Sequence, residues 1–374
     1  MPVQTQNTQA RPLAFSLYYF ASDEGGASAD DKRRLLFESA RFADSHGFSA
    51  VWAPERHFHA FGGLSPNPSV TAAALAAVTE NVRIRSGSVV VPLHHPARVV
   101  EEWSLVDFLS GGRVDLGIAS GWFPNDFVLA QPGAYERRGE LVFERVNELR
   151  SLWAGESFEA VNALGDTVHL RTMPRPVQRE LPIWITAAGN PDTFRRAGML
   201  GLNILSHLLG QSLEALADKI TIYRDAWRQA GHPGEGAVTL MMHTFVGEDE
   251  TKVRRQVKAP MIHYLGSSAN LVGNYTASVP FFKKQCSLAS GELTQDDLND
   301  ALEFSFERYY ATSSLLGDMD RCLEMTDRLK AIGVDEVACL IDFGVPASEV
   351  LAALPMLDEL RQLANLTEEE LAEV

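Results

Sequence analysis

Cysteine is scarce: Cys286, Cys322 and Cys339 are the only three in 374 residues, and no two share a CxxC spacing. That argues against a disulfide scaffold or a cysteine-ligated zinc site and for buried thiols in a reducing cytoplasm. Positive charge is also short. Lys and Arg number 33 against 49 Asp and Glu, a formal net charge of -16. So acidic a surface repels phosphate backbones and anionic lipid, which sets aside nucleic acid and membranes as partners. No run approaches the ~18 apolar residues of a bilayer-spanning helix. No apolar signal-peptide core precedes a cleavage site. The polar residues 1–11 are expected to form a disordered tail, and residues 366–374 an acidic C-terminal tail. No GxGxxG follows an early strand, so the mark of a dinucleotide-binding open sheet is missing too.

What the chain does have is alternation. Residues 13–20, 50–54, 82–91 and 114–120 read as strands. Between them, 31–46 places Leu35, Leu36, Ala40 and Ala43 at helical spacing before Gly47. Pro68 opens a helix over 67–78, and Gly111-Gly112 closes one over 97–109. A long helix at 135–153 and a β-excursion at 158–171, turning at Gly165-Asp166, interrupt the pattern. It resumes with strands at 182–186, 202–205, 238–246 and 336–341. Helices at 192–200, 213–230, from near Glu248, at 318–332 and at 348–364 alternate with them. Eight strand–helix units predict parallel strands closed into a (β/α)8 TIM barrel, one domain over 12–365, with insertions at the C-terminal face. An open doubly wound sheet is the runner-up. The segment 264–310 breaks the repeat; its glycines and aromatics suit a lid and an oligomer-contact insertion equally.

In such a barrel, reactive side chains lie just past the C-terminal ends of strands. After the second strand come Glu55, Arg56, His57, Phe58, His59 and Phe61. Two imidazoles within three residues favour proton transfer, and His57 and His59 are the candidate acid–base groups, with Arg56 beside them. After the third strand come His94, His95 and Pro96, where His95 serves either chemistry or the chain turn; Glu101 and Glu102 are expected to pair with Arg. After the fourth come Ser120, Gly121, Trp122 and Phe123, a glycine that admits a flat ligand beside aromatics that wall it. After the fifth, Thr186, Ala188, Gly189, Asn190 and Thr193 lead into a helix start suited to a phosphate, with Arg195 and Arg196 one turn on. After the sixth, His207, Gly210 and Gln211 offer polar contacts, and Ser212 is a ligand group or a helix cap.

In these loops the sequence resembles the bacterial luciferase-like flavin monooxygenases. The likeness runs through 41–59, 65–70, 89–103, 109–114, 185–194 and 207–211, nearly the whole chain apart from the tails and part of 264–310. The stretches 55–63 and 119–127 are similar to the natural-product-biosynthesis branch, of the mupirocin type. The resemblance implies FMN, used as FMNH2, across the barrel mouth. Gly87 and Ser88 match the place of a non-proline cis peptide under the flavin ring, Gly121 the flavin-facing glycine, and Gly189, Asn190 and Thr193 the phosphate turn. It implies oxygen insertion, by hydroxylation or Baeyer–Villiger attack, through a C4a-peroxyflavin kept from water. Phe20, Phe58, Phe61 and Trp122 would supply that apolar pocket. A small-molecule or carrier-protein-tethered substrate, a separate NAD(P)H:flavin reductase and a homodimer or higher homo-oligomer go with this reading.

The chain departs from the luciferases at two places. Arg56 stands where they carry a catalytic histidine, with His57 keeping the neighbouring one. Ser120 stands where they use an arginine on the flavin phosphate. Light emission is therefore not expected, and phosphate affinity would rest on amides and hydroxyls. Three other readings compete. One is a metal-dependent barrel hydrolase using His57, His59, His207 and Asp342. The others are a flavin binder without turnover and a deazaflavin or FMN oxidoreductase of the same fold that inserts no oxygen.

Overall fold

The computed structural model describes residues 11–20, 27–273, 295–366 and 370. Strands β1 (Ala14–Tyr18), β2 (Ala50–Ala53), β3 (Arg83–Ser86), β5 (Val114–Ala119), β8 (Ile183–Thr186), β9 (Asn203–His207), β10 (Val238–Val246) and β12 (Glu336–Leu340) pair in that order. β12 returns to β1, and every pairing around the ring is parallel. This is the expected closed TIM barrel. Helices α1 (Ala29–Ser45), α2 (Pro68–Ala76), α3 (Pro96–Ser110), α4 (Ala134–Ala154), α5 (Pro191–Leu200), α6 (Leu213–Gln229), α7 (Glu250–Gly273), α8 (Gln295–Thr312), α9 (Met319–Ala331) and α10 (Ala347–Leu363) connect the strands. Local chemistry sets their starts. Side-chain oxygens of Ser28, Asn67, Asn190, Ser212 and Asp318 accept amides of the first turns, which would otherwise lack partners.

Three features differ from the expected pattern. The strand expected over 82–91 breaks in two, β3 and β4 (Val89–Val90), around Gly87–Ser88, whose peptide bond is cis, as the resemblance implies. A Cβ on Gly87 would lie 2.7 Å from the Tyr18 ring, so only glycine fits the bend. A short strand, β11 (Leu315–Gly317), extends β10 at its C-terminal end. The described flanks of 264–310 are helix: α7 runs to Gly273 and α8 starts at Gln295. Tyr264, Phe306, Tyr309 and Tyr310 are buried, so part of the aromatic content of that segment belongs to the core. Tyr275, Pro280, Phe281, Phe282 and Gly291 lie outside the described residues, as do tail residues 1–10. The excursion after α4 is the hairpin β6 (Phe158–Val161) and β7 (Thr167–Leu170), with Gly165 at φ 86 in its turn.

The barrel interior is polar at one level. Arg85 donates to Asp115 at 2.7 Å and to both oxygens of Glu336 at 2.8 and 2.7 Å. Its guanidinium lies 4.9 Å from the Trp52 ring and 4.4 Å from that of Trp184. Ser16 donates to Glu336, Trp52 Nε1 to Ser16, and Trp184 Nε1 to Thr239. These residues come from seven of the eight barrel strands and touch one another, which only the inside of a closed sheet allows. All are buried. Buried charges are tolerated only when paired and hydrogen-bonded, and here two carboxylates share one guanidinium. Arg85→Met is therefore expected to cost about 3–5 kcal/mol, since it leaves the buried Glu336 without a cation and Asp115 with Arg83 alone. Urea unfolding at neutral pH measures that loss.

Candidate active site

Because the ring strands are parallel, the loops after β2, β3, β5, β8 and β9 all emerge at one end. Side chains tie them together. Arg56 joins the β2 loop to the β5 loop through Asp126 at 2.8 Å. Glu55 joins it to the β3 loop through His94 at 2.6 Å. Ser88 and Thr186 share a hydroxyl hydrogen bond of 2.5 Å between the β3 and β8 loops. The amide of Ala187 donates to the carbonyl of Leu205 at 2.9 Å, bringing the β8 and β9 ends together. The five rim loops thus surround one mouth.

At the β2 end, Glu55 is the hub. One of its oxygens accepts His57 Nε2 at 2.8 Å and His94 Nε2 at 2.6 Å, and the other accepts the Val90 amide at 2.6 Å. Its side chain is fully buried. Burial alone would raise its pKa, but the three donors outweigh it and hold the carboxyl below its usual range. His94 moves the other way: burial pulls it down, and the bond and charge of Glu55 more than reverse this. His95 caps α3 instead, accepting the Ala97 amide at 3.2 Å. Glu102 pairs with Arg98 at 2.7 Å, as expected.

Arg56 is buried with its guanidinium 4.4 Å from the Phe123 ring and 5.1 Å from that of Trp122. Its Nε and one terminal nitrogen, and one oxygen of Asp126, have no hydrogen-bond partner among the described residues. His59 accepts the Phe61 amide through Nδ1 at 3.0 Å. His57 and His59 are thus held by different partners rather than aimed at a common ligand. Among the described residues no group of three or more His, Cys, Asp or Glu is placed to hold a metal ion.

The pocket aromatics divide. Phe20 packs edge-on against Phe61 at 5.2 Å, and Phe61 against Tyr264 at 4.8 Å. Phe58, at φ 53, and Trp122 stand exposed on the rim. Gly121 has φ 75, and a Cβ there would lie 2.6 Å from Val90 and 3.0 Å from Phe127, so the backbone is pressed into a space with no room for a side chain. Ser120 Oγ donates a long hydrogen bond to the carbonyl of Gly121, at 3.4 Å.

The helix start expected to offer free amides is largely self-capped. Asn190 accepts Asp192 N–H through its side chain and Thr193 N–H through its carbonyl, and Pro191 has no N–H. The amides left without a partner among the described residues belong to Ala188, Gly189 and Asn190. Gly189 faces open space. Arg195 pairs with Asp192, and Arg196 with Glu140, so neither cation is uncommitted. Gln211 is engaged internally: its amide N–H groups reach Ser206 and the His207 carbonyl, and its oxygen accepts Lys219 Nζ at 2.6 Å. Gly210, at φ 84, shapes the same turn, and Ser212 is the cap of α6.

Sequence reasoning did not single out His243. It is buried on β10, bonded through Nδ1 to Tyr309 Oη at 2.9 Å, with Nε2 unpartnered. The rings of Tyr264, Tyr309 and Phe343 surround it. His207 Nδ1 is likewise buried and unpartnered. Burial pulls His207 down to about 4, and burial with the nearby His207 pulls His243 to about 3. Both imidazoles stay neutral in the folded chain, whereas the unfolded chain protonates them near 6.5. As pH falls below that value the unfolded state binds more protons, so stability must fall with it. Urea unfolding between pH 7 and pH 4 is expected to show this loss, with a smaller slope in His243→Gln.

Comparison with known proteins gives the family and the fold. The family model described as luciferase-like monooxygenase matches residues 14–336. The oxygenase component of the flavin-dependent trigonelline monooxygenase of Acinetobacter baylyi is 28% identical over 336 residues, covering 87% of this chain and 88% of its own. Among solved structures, the oxygenating constituent of 3,6-diketocamphane monooxygenase from Pseudomonas putida, a type II Baeyer–Villiger monooxygenase in complex with FMN, superimposes with a TM-score of 0.73. It is 18% identical and covers 96% of this chain and 99% of its own. An F420-dependent secondary alcohol dehydrogenase gives a TM-score of 0.66 at 18% identity, covering 93% and 98%. With the family model spanning most of the barrel, the chain belongs to the luciferase-like monooxygenases.

Proposed function

We propose that this protein is the oxygenase of a two-component system, using reduced FMN from a separate NAD(P)H:flavin reductase and O2 to oxidise a small organic molecule. The observation that carries this reading is the single mouth at which Ser88 bonds Thr186, the amides of 188–190 stand open just beyond, and Gly121 packs closely on the neighbouring loop. Those groups fit a flavin. Gly87, Ser88, Gly121 and Thr186 would hold its ring. Ala188, Gly189, Asn190 and Thr193 would hold its phosphate through amides and hydroxyl, with His207 beside them. Bound reduced flavin supplies the two electrons that let one oxygen atom of O2 enter the substrate and the other leave as water.

The chain's own residues supply the surroundings. Phe20 and Phe61 keep water from the reacting centre. His57 spends Nε2 on Glu55, leaving Nδ1 to take or return a proton. Arg56, with two buried N–H-bearing nitrogens unpartnered, is suited to hold negative charge on the substrate or on the oxygen being reduced. Residues 55–63 and 119–127, similar to the mupirocin-type branch, support a natural-product substrate, free or carrier-tethered. The relative acting as an oxygenase component supports the separate reductase.

Turnover under 18O2 with FMN, NAD(P)H and an added flavin reductase tests the reading by mass spectrometry. One labelled oxygen atom is expected in the product, and none when deazaflavin replaces FMN. An unlabelled product, or rapid NAD(P)H oxidation without the reductase, would count against it. Thr193→Val is expected to weaken FMN binding about tenfold, as for loss of a hydrogen bond to a charged group. Riboflavin, which lacks the phosphate, should bind both forms equally in a fluorescence titration.

A further inference from the structure

Glu55 carries more than the proposed function requires of it. An ionised carboxylate can only accept hydrogen bonds. Both His57 and His94 turn Nε2 to the same Glu55 oxygen, so both must carry the proton on Nε2. When His57 is neutral, its Nδ1 is then a bare acceptor, and among the described residues nothing bonds to it. A carboxylate buried this deeply persists in charged form only because three donors converge on it. The hub also bridges two rim loops, since His57 follows β2 while Val90 and His94 follow β3.

We propose that Glu55 is a positioning residue that fixes the tautomer of His57 and shares one negative charge between His57 and His94, so that the carboxylate and two imidazoles act as one proton store. This rests on the oxygenase reading for its use but not for its existence. His94 holds its proton against Glu55, and a proton arriving at His57 Nδ1 produces an imidazolium whose Nε2–H already faces the same carboxylate. Neither step requires a charge to be created without a partner. The other charged groups facing the cluster are few. Asp126 senses both Glu55 and His57 and is itself paired with Arg56. Glu102 faces His94 from α3 while bonded to Arg98 and Ser69.

The test is histidine NMR titration of the flavin-free protein, wild type against Glu55→Gln. In the wild type, 15N shifts should report the Nε2–H tautomer for His57, and His94 should titrate above the usual histidine value. In Glu55→Gln the His94 midpoint should fall by about one unit or more, as for loss of an adjacent opposite charge. His57 should lose its tautomer preference, and Glu55→Asp should restore part of both. Where product is formed, the acidic limb of its pH profile should move with these midpoints. Unchanged midpoints and tautomer in a folded Glu55→Gln protein would overturn the proposal. Should that variant not fold, His94→Asn supplies the second measurement: His57 must keep its Nε2–H tautomer on the carboxylate that remains, and loss of that preference is equally fatal. Absence of product with reduced FMN would sink the oxygenase reading alone, because the titration needs neither flavin nor substrate.

Discussion

One guanidinium inside the barrel joins two buried carboxylates, and among the described residues it is the only cation paired with Glu336. Arg85 sits between Asp115 and Glu336, strands β3, β5 and β12, with tryptophan rings on either side. The arrangement is demanding because a buried pair repays its desolvation only with good geometry and further hydrogen bonds. Ser16 and Arg83 supply those bonds to Glu336 and Asp115. Strand register follows from it: Arg85 must lie opposite Asp115, as it does, and a one-residue slip would turn the guanidinium out of the barrel. With register fixed, every strand end, and so every rim loop, has a fixed height.

The mouth depends on a second kind of constraint, close approach of backbone. Gly87 lies against Tyr18 and Trp52, and Tyr18 Oη donates to the carbonyl of Gly87. Gly121 lies against Val90 and Phe127, and Gly62 against the Phe20 ring. Each of these glycines lets a loop settle onto its neighbour where a methyl group would hold it off. The polar ties between loops form across these contacts. Steric permission and hydrogen bonding are therefore one device: the glycine positions set the distance, and Glu55, Asp126 and Thr186 lock it.

Much of this was legible in the chain, and the exceptions have physical causes. All eight barrel strands follow from short runs rich in apolar residues alternating with helical spacing, because the helix-covered face of a parallel strand must be apolar even where the interior face is polar. The break at Gly87-Ser88 is invisible to periodicity, since Val89 and Val90 keep the composition of a strand. β11 is three residues long and carries no period at all. Which of His94 and His95 belongs to the site was decidable in principle. Pro96 takes the first helical position, so the residue before it becomes the cap, and His94 is left to turn inward. Glu55 was visible in its loop, but that two histidines from different loops meet on it depends on tertiary geometry. His243 shares strand parity with Thr239, which faces the barrel interior; without that anchor its side could not be chosen.

Two carboxylates at the mouth, Glu55 and Asp126, lie close enough to sense each other yet are driven in opposite directions. Glu55 has three donors and is held below its usual range. Asp126 is raised: burial lifts it, and Arg56, bonded to one oxygen only, does not fully offset that while the other oxygen stays unpartnered. The difference is one of hydrogen-bond count rather than of net charge nearby, since cationic or protonatable groups stand beside both. It assigns them different work. Glu55 is fully buried and already accepts three of the roughly four hydrogen bonds a carboxylate can take, so its influence passes chiefly through the imidazoles it holds. Asp126 and Arg56 keep an unused acceptor and unused donors, so theirs is the ion pair that can gain hydrogen bonds directly when the mouth is filled.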